Sequence, residues 1–313
     1  MNRTGHTLSG KKVIVTGAGG FIGGAVMAAL AAADALPVGM GRQGAPDNLQ
    51  AASAWVRADL VADPLDMLLA DIRPDAIIHC AALTAAPETD TGRAELFAAN
   101  LTATVRLIDA VSRLHHPVRL VVVSSAAIWA PMPPGLPMID ETFPMRPVAA
   151  YGVSKAAATL YALAEADRHG LDLAVAVPFN VLGPGQPRRL VPSVFIDQLN
   201  TDTGQFTVSN PDVIRDWVDV RDVANALVTL SQPNGPRGLF NIASGKGHSL
   251  AEMIAALCRI GGWTPKVQSG APHNASGVNK SVGDPRRLTT ATGWLPQIAL
   301  DTSLRDMIRS VRG

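Results

Sequence analysis

Tyr151 and Lys155 stand four residues apart, so on a helix their side chains emerge on one face, with the ammonium close enough to act on the phenol. A free tyrosine titrates at about 10, and each tenfold change in its acidity is worth about 1.4 kcal/mol. Poising it near neutrality therefore takes roughly 4 kcal/mol from nearby positive charge, part of which Lys155 can supply. Upstream, Ser125 follows the apolar run Leu120 to Val123, which places a hydroxyl at the C-terminal end of a strand, where it can hydrogen-bond a carbonyl. A proton donor, an activating cation and a polarising hydroxyl are the parts of carbonyl chemistry. Tyr-x-x-x-Lys alone is as well explained by a surface helix pair; its place behind the strand-end serine favours catalysis. Tyr161 and the seven histidines lack such support, and His79, inside an apolar strand, reads as a core or cofactor-lining residue rather than a general base.

The second reacting partner is pointed to by the turn Thr16-Gly17-Ala18-Gly19-Gly20-Phe21-Ile22-Gly23. It follows the β-run Val13-Ile14-Val15 and opens an Ala-rich helical stretch from Phe21 to about Ala33. In that strand, turn and helix context, Gly17 permits the tight turn, Gly20 lets backbone approach a pyrophosphate, and Gly23 lets helix and strand pack closely. The helix N-terminus offers unpaired N–H groups and a positive dipole end. The turn therefore reads as a dinucleotide site, and an oxidised nicotinamide would add to the charge acting on Tyr151. The rival reading is a signal peptide or membrane span, because Lys11 and Lys12 precede an uncharged run; five glycines at turn-like spacing break it, and no targeting segment is expected. The second strand ends near Met40, where an acid would bind a 2′-hydroxyl, yet Gly41-Arg42 stands there. A guanidinium suits a 2′-phosphate, so NADP(H) is favoured and NAD(H) stays open, while Arg42 as a solvated loop residue is the bland alternative. Asp59 either accepts from the adenine amino group or caps the next helix.

These residues need a frame, and the chain alternates short apolar runs with helical patterns. Ala35 to Met40, Ala54 to Ala58, Ala76 to Ala81, Leu120 to Ser124 and Leu173 to Val177 read as strands. Right-handed βαβ crossovers then give an α/β, Rossmann-type doubly wound parallel sheet, with the ligand at the C-terminal edge of its strands. After about Pro178 the rhythm fails, and mixed segments follow (204 to 210, 238 to 244, helices near 251 to 259 and 302 to 311). The expected division is a dinucleotide-binding core over 1–178, with 219–243 returning to it, and a smaller substrate lobe from 179–218 and 244–313. At 313 residues, 47% apolar and 17% charged, the chain has the composition of a compact enzyme, and disorder is excluded as its main state. A formal net charge of +1 with no basic block gives no footprint for nucleic acid or anionic membrane, so a small molecule is the expected partner. Cys80 and Cys258 offer neither a metal-binding spacing nor a disulfide framework, and a cytoplasmic location fits best.

Seven motifs in order make the sequence resemble the extended short-chain dehydrogenase/reductase family, also called the NAD-dependent epimerase/dehydratase family, over nearly its whole length. They are Thr16 to Gly23, His79-Cys80-Ala81-Ala82, Asn100 in Asn-Leu-Thr-Ala-Thr, Ser124 to Trp129, Tyr151 to Lys155, Pro178 to Gln186, and Arg215 to Val223. The resemblance implies that Ser125, Tyr151 and Lys155 are catalytic, with Lys155 also holding the nicotinamide ribose. Around the dinucleotide it places Gly17, Gly20, Phe21, Ile22, Gly23, Arg42, Asp59, Leu60, Ala81, Ala82, Asn100, Tyr151, Lys155 and Pro178. Ser124 and Ser125 are placed at the substrate, and Asn180 and Arg215 facing its diphosphate. Pro178 to Gln186 and the ending Val282 to Leu288 with Thr292-Gly293-Trp294 look most like nucleotide-sugar ketoreductases of the GDP-4-keto-6-deoxy-mannose reductase type. Val177 stands where an arginine is usual, and 266 to 283 lacks the second diphosphate arginine, leaving Lys280 as a point charge without a bidentate fork. Ala126-Ala127 occupies the place of the dehydratases' Asp-Glu pair, which argues against dehydration. The expected activity is NADP(H)-dependent reduction of a keto-deoxy sugar, nucleotide-linked or not. An epimerase that retains NAD is the first rival and a non-enzymatic dinucleotide sensor the second, and pairing into a homodimer is expected.

Overall fold

A computed structural model describes residues 8–46, 51–85, 87, 89–200, 205–269 and 278–312. In chain order the first half comprises β1 (Lys12–Thr16), α1 (Phe21–Ala32), β2 (Leu36–Gly41), β3 (Ala54–Arg57), α2 (Leu65–Ile72), β4 (Ala76–His79), α3 (Asp90–Phe97), α4 (Ala103–Ser112), β5 (Arg119–Val123), α5 (Ala150–His169) and β6 (Leu173–Pro178). There follow β7 (Asn180–Leu182), α6 (Val191–Leu199), β8 (Gln205–Val208), β9 (Ile214–Asp219), α7 (Val220–Leu230), β10 (Gly238–Ile242), β11 (Gly247–Ser249), α8 (Leu250–Gly261), β12 (Lys266–Ser269), β13 (Lys280–Ser281), α9 (Arg286–Thr292) and α10 (Leu300–Arg312).

Seven strands form one parallel sheet in the order β10-β6-β5-β4-β1-β2-β3. Its central strands are apolar through their middles because both faces are covered: Val13, Ile14 and Val15 of β1 are fully buried, and every residue of β4 and β5, the terminal His79 and Arg119 included, is buried. One face packs Leu107 and Ile108 of α4 and Ala156 and Ala162 of α5; the other packs Val26, Met27 and Leu30 of α1 against Val223, Leu227 and Leu230 of α7. Each fully buried aliphatic side chain of this kind contributes about 1.5–3 kcal/mol. Strand order reverses between β1 and β4, which opens a crevice at their C-terminal ends.

Beyond β6 the chain leaves this sheet at β7 and returns to it with α7 and β10, which pairs with β6 from Gly238↔Ala174 to Ile242↔Pro178. A second sheet, β11-β9-β13 with β7 alongside β9, and the pair β12-β8 lie with α6, α8 and α10 over their own core of Phe195, Ile196, Phe206, Met253, Leu257, Leu304 and Met307. Residues 286–294, read from sequence as lobe, pack differently. Leu288 and Trp294 are buried against the sheet's α1–α7 side, and the Trp294 indole donates to Asp222 O at 3.2 Å, because an apolar pair flanking a short helix finds its cover there. No helix among the described residues is long and apolar enough to cross a membrane.

Candidate active site

Two adjoining cavities occupy the crevice. The larger, about 870 Å³, is lined from the sequence-predicted set by Gly17, Gly20, Phe21, Ile22, Gly23, Ala82, Ser124, Ser125, Tyr151, Lys155, Pro178 and Asn180. The smaller, about 190 Å³, is lined by Arg42, Asp59, Leu60 and Ala81, and shares Gly17 and Ala82 with the first.

The glycine turn is shaped for close backbone approach. Gly17 has φ +67°, and a Cβ there would lie 2.8 Å from the Ala81 backbone; a Cβ on Gly23 would lie 2.2 Å from Gly17 O. Larger residues are excluded at Gly17 and Gly23, the first turn of α1 lines the larger cavity, and no acidic side chain stands in that turn. That is a cradle for an anion, and a pyrophosphate fits it. At the other end, Asp59 Oδ1 accepts from Val61 N at 2.8 Å while Asp63 Oδ2 accepts from Asp59 N at 2.7 Å. Asp59 therefore closes the turn ahead of α2 and still lines the smaller cavity. Arg42 lines that cavity too, and its carbonyl accepts from the Arg57 guanidinium at 3.1 Å.

Ser125, Tyr151 and Lys155 come together at the cavity floor. The Ser125 hydroxyl accepts from Ala127 N at 3.2 Å, pinning a short helical turn over Ala126–Ile128, and it lines the same cavity as the Tyr151 side chain. Lys155 is 2% exposed and donates to Val123 O at 2.6 Å. Burial pulls its ammonium down to about 8. Burial also lifts the Tyr151 phenol above its ordinary value, with the Ser125 hydroxyl opposing. The charge effect expected of Lys155 on Tyr151 does not offset that burial in the free protein, because the ammonium is turned to the strand carbonyl. Ser124 is buried and shares a 2.6 Å hydrogen bond with Thr159, which locks the start of this loop onto α5.

Of the two readings left for His79, the structure takes the core one. Its ring is fully buried between Thr16 Oγ1 at 2.7 Å and Thr104 Oγ1 at 3.0 Å, and burial pushes it down to about 3, so it is neutral. Asn100, expected at the dinucleotide, lies on neither cavity wall. It is fully buried in a π-helical turn, accepts from Leu83 N at 2.8 Å, and donates to Leu83 O and Ser154 Oγ, each at 2.9 Å. It positions the loop after β4 instead. Arg215, expected to face a diphosphate, lies off both linings: its guanidinium donates to Ile214 O and Val278 O, each at 2.9 Å. Lys280 donates to Leu136 O at 3.1 Å and likewise lines neither cavity.

The cleft also holds residues that the sequence reading did not place at the site: Cys80, Gln186 and Trp217, which it met only within motifs, and Leu83, Thr84 and Arg189. The Cys80 thiol is pushed up to about 12 by burial, which keeps it protonated. Gln186 and Arg189 sit in and just after the Pro-Phe-Asn motif; that adjacency was the signal that could have marked them. Among the described residues no cluster of His, Cys, Asp and Glu is arranged to hold a metal.

The sequence profile of the NAD dependent epimerase/dehydratase family matches residues 13–243. The chain is similar to GDP-6-deoxy-D-mannose reductase of Pseudomonas aeruginosa, 30% identical over 95% of this chain and 96% of that one. It is as similar to UDP-glucose 4-epimerase of Mycolicibacterium smegmatis, 29% identical over 96% and 98%. Among solved structures, RMD from Pseudomonas aeruginosa complexed with NADPH superposes with a TM-score of 0.81 at 28% identity, covering 96% of this chain and 98% of that one.

Proposed function

This chain belongs to the NAD dependent epimerase/dehydratase family, the extended short-chain dehydrogenases/reductases, and from that premise we propose that it is an NADP(H)-dependent ketoreductase of a nucleotide-linked keto-deoxy sugar. The observation that carries the reading is the meeting of Ser125, Tyr151 and Lys155 in a cleft that also contains the phosphate-ready turn of Gly17 to Gly23. A dinucleotide held by the Gly17 to Gly23 turn would supply the hydride. Tyr151 gives its phenolic proton to the carbonyl oxygen as that oxygen gains charge, and Ser125 polarises the same oxygen through its hydroxyl. Lys155, near the phenol on the same helix, orients the nicotinamide ribose and stabilises the tyrosinate left behind. Arg42 beside the smaller cavity favours a 2′-phosphate, which is why the reading is NADP(H). Ala126-Ala127 provides no acid-base pair for elimination of water.

Two copies associate in this reading through α5, on which Val153 and Leu160 are exposed. The reading places the chain in the cytoplasm, where its two free thiols, Cys80 and Cys258, stay reduced.

The 29% identical epimerase supports a second reading, in which the same residues oxidise and re-reduce one substrate on retained NAD. The deciding assay follows NADPH and NADH oxidation with GDP-, UDP- and dTDP-linked 4-keto-6-deoxy sugars, with Tyr151→Phe as control. A Tyr151-dependent NADPH signal with one nucleotide is the expected result. Tightly held NAD in the purified protein, together with silence across the panel, would replace the reductase by the epimerase. A Tyr151→Phe variant that oxidises NADPH at the wild-type rate would sink both.

A further inference from the structure

Arg189 is a cation with no ion-pair partner among the described residues. It lies between β7 and α6, lines the larger cavity, and donates to Thr84 Oγ1 at 2.8 Å. Thr84 belongs to the loop after β4, 105 positions away in the chain, so this single hydrogen bond joins the Rossmann core to the lobe at the solvent side of the cleft. The described residues lining that cavity include no carboxylate and two basic side chains, Lys155 and Arg189. Lys155 donates to Val123 O and, in the reading above, is already used at the nicotinamide ribose and the phenol. Arg215 and Lys280 are both committed to backbone carbonyls away from the lining. A neutral threonine hydroxyl satisfies one of the five N–H donors of a guanidinium, and a fork of that shape matches two oxygens of a phosphate.

We propose that Arg189 receives the diphosphate of a nucleotide-linked substrate, exchanging its bond to Thr84 for phosphate oxygens, and so takes the role expected of Arg215. This rests on the nucleotide-sugar reading given above. Approach from the Thr84 side places the diphosphate between the core loop and the lobe, with the sugar extending inward to Ser125 and Tyr151. Thr84 is then a resting partner that keeps the guanidinium over the cleft.

The test is isothermal titration of GDP, UDP and dTDP, and separately of NADP+, into the purified protein and its Arg189→Ala, Arg189→Lys and Thr84→Val variants. The expected result is that Arg189→Ala weakens the preferred nucleoside diphosphate by about tenfold or more, since a charge-assisted phosphate contact is lost, while NADP+ affinity stays within about twofold. Arg189→Lys recovers part of the loss, because a point charge cannot form the fork. Thr84→Val keeps the affinity, which a merely structural strap would not. Equal nucleoside diphosphate affinity in Arg189→Ala and wild type, or a loss confined to NADP+, overturns the assignment and leaves the nucleotide-sugar reading standing. A wild-type protein that binds none of the three diphosphates overturns both.

Discussion

The Lys155 ammonium, 2% exposed, donates to the carbonyl oxygen of Val123 at 2.6 Å, tying helix α5 to the end of strand β5. This fixes the distance between the helix that carries Tyr151 and the strand end that leads to Ser125. The bond also keeps a charge in the interior, and burial lowers that ammonium from its ordinary 10.5 to about 8.

A linkage follows from that lowered value. Between about 8 and 10.5 the unfolded chain holds a proton on this lysine that the folded chain has released, so stability rises with pH through that window and the penalty is fully present below about 8. The size of the effect is on the order of 3 kcal/mol. Urea unfolding of wild type and Lys155→Met at pH 7 and pH 10.5 should show wild type gaining stability relative to the variant at the higher pH, while the variant is inactive. A constant difference between the two proteins across that range would contradict the linkage.

Gly152 is the position at which α5 touches the turn that carries Ser125. A Cβ there would lie 2.4 Å from Ala127 O and 2.9 Å from Pro147 Cβ. Helix propensity favours alanine over glycine by about 1 kcal/mol, but overpacking of this kind costs about 1–3 kcal/mol and the neighbour is backbone. Gly152→Ala is expected to lower the melting temperature and to lower kcat more than it raises the KM for the dinucleotide, because Ser125 moves relative to Tyr151. A higher melting temperature would show that propensity wins.

Asp216 is a buried carboxylate that clamps three loop residues. It accepts from Ser244 N at 2.9 Å, Ser244 Oγ at 2.5 Å, Gly245 N at 3.0 Å and Gly283 N at 3.2 Å. Burial outweighs these bonds and pushes the carboxyl up to about 6. With an ordinary value of 3.8, stability from this group falls as pH rises from about 4 to 6, because the unfolded chain ionises first. Asp216→Asn removes that slope but turns an NH2 towards N–H donors, so at pH 7 it should cost about 2–4 kcal/mol in chemical denaturation. A more stable variant at pH 7 would mean that desolvation dominates the clamp.

His79 works in the opposite direction. Its folded value of about 3 lies below the ordinary 6.5, so the unfolded chain takes up a proton first and stability is lost as pH falls from about 6.5 towards 3. In an NMR titration the His79 ring should stay neutral down to about pH 4, and His79→Gln should flatten the acid-unfolding curve. A ring that titrates near 6.5 in the folded protein would refute its burial between the two threonines.

In the proposed reading the cofactor preference turns on Arg42, which lines the smaller cavity. Arg42→Glu is expected to weaken NADPH by tenfold or more, the worth of a charge-assisted phosphate contact, while NADH binding holds or improves. Dissociation constants from fluorescence titration of both cofactors check it, and equal loss for the two would assign Arg42 to the shared part of the dinucleotide.

Much of the frame was legible because its signals are local. Val13 to Val15 before a glycine turn, and apolar runs such as Leu120 to Val123, announce buried parallel strands through composition alone, and Gly20 and Gly23 answer to contacts within their own βα unit, although Gly17 meets the Ala81 backbone after β4. Tyr151 and Lys155 share a face by helix periodicity. The positions of Arg215, Lys280, Asn100 and Arg189 were not legible, since each depends on a partner distant in the chain, for Asn100 the loop after β4 and α5 of the core itself. An arginine in a motif has the same letters whether its guanidinium faces a cleft or is tied down by the carbonyls of Ile214 and Val278. The sequence by itself therefore determined the doubly wound sheet and the residues that can do carbonyl chemistry. Tertiary structure alone decided which charges reach the cleft, because that is settled by long-range packing and by competition from buried backbone acceptors.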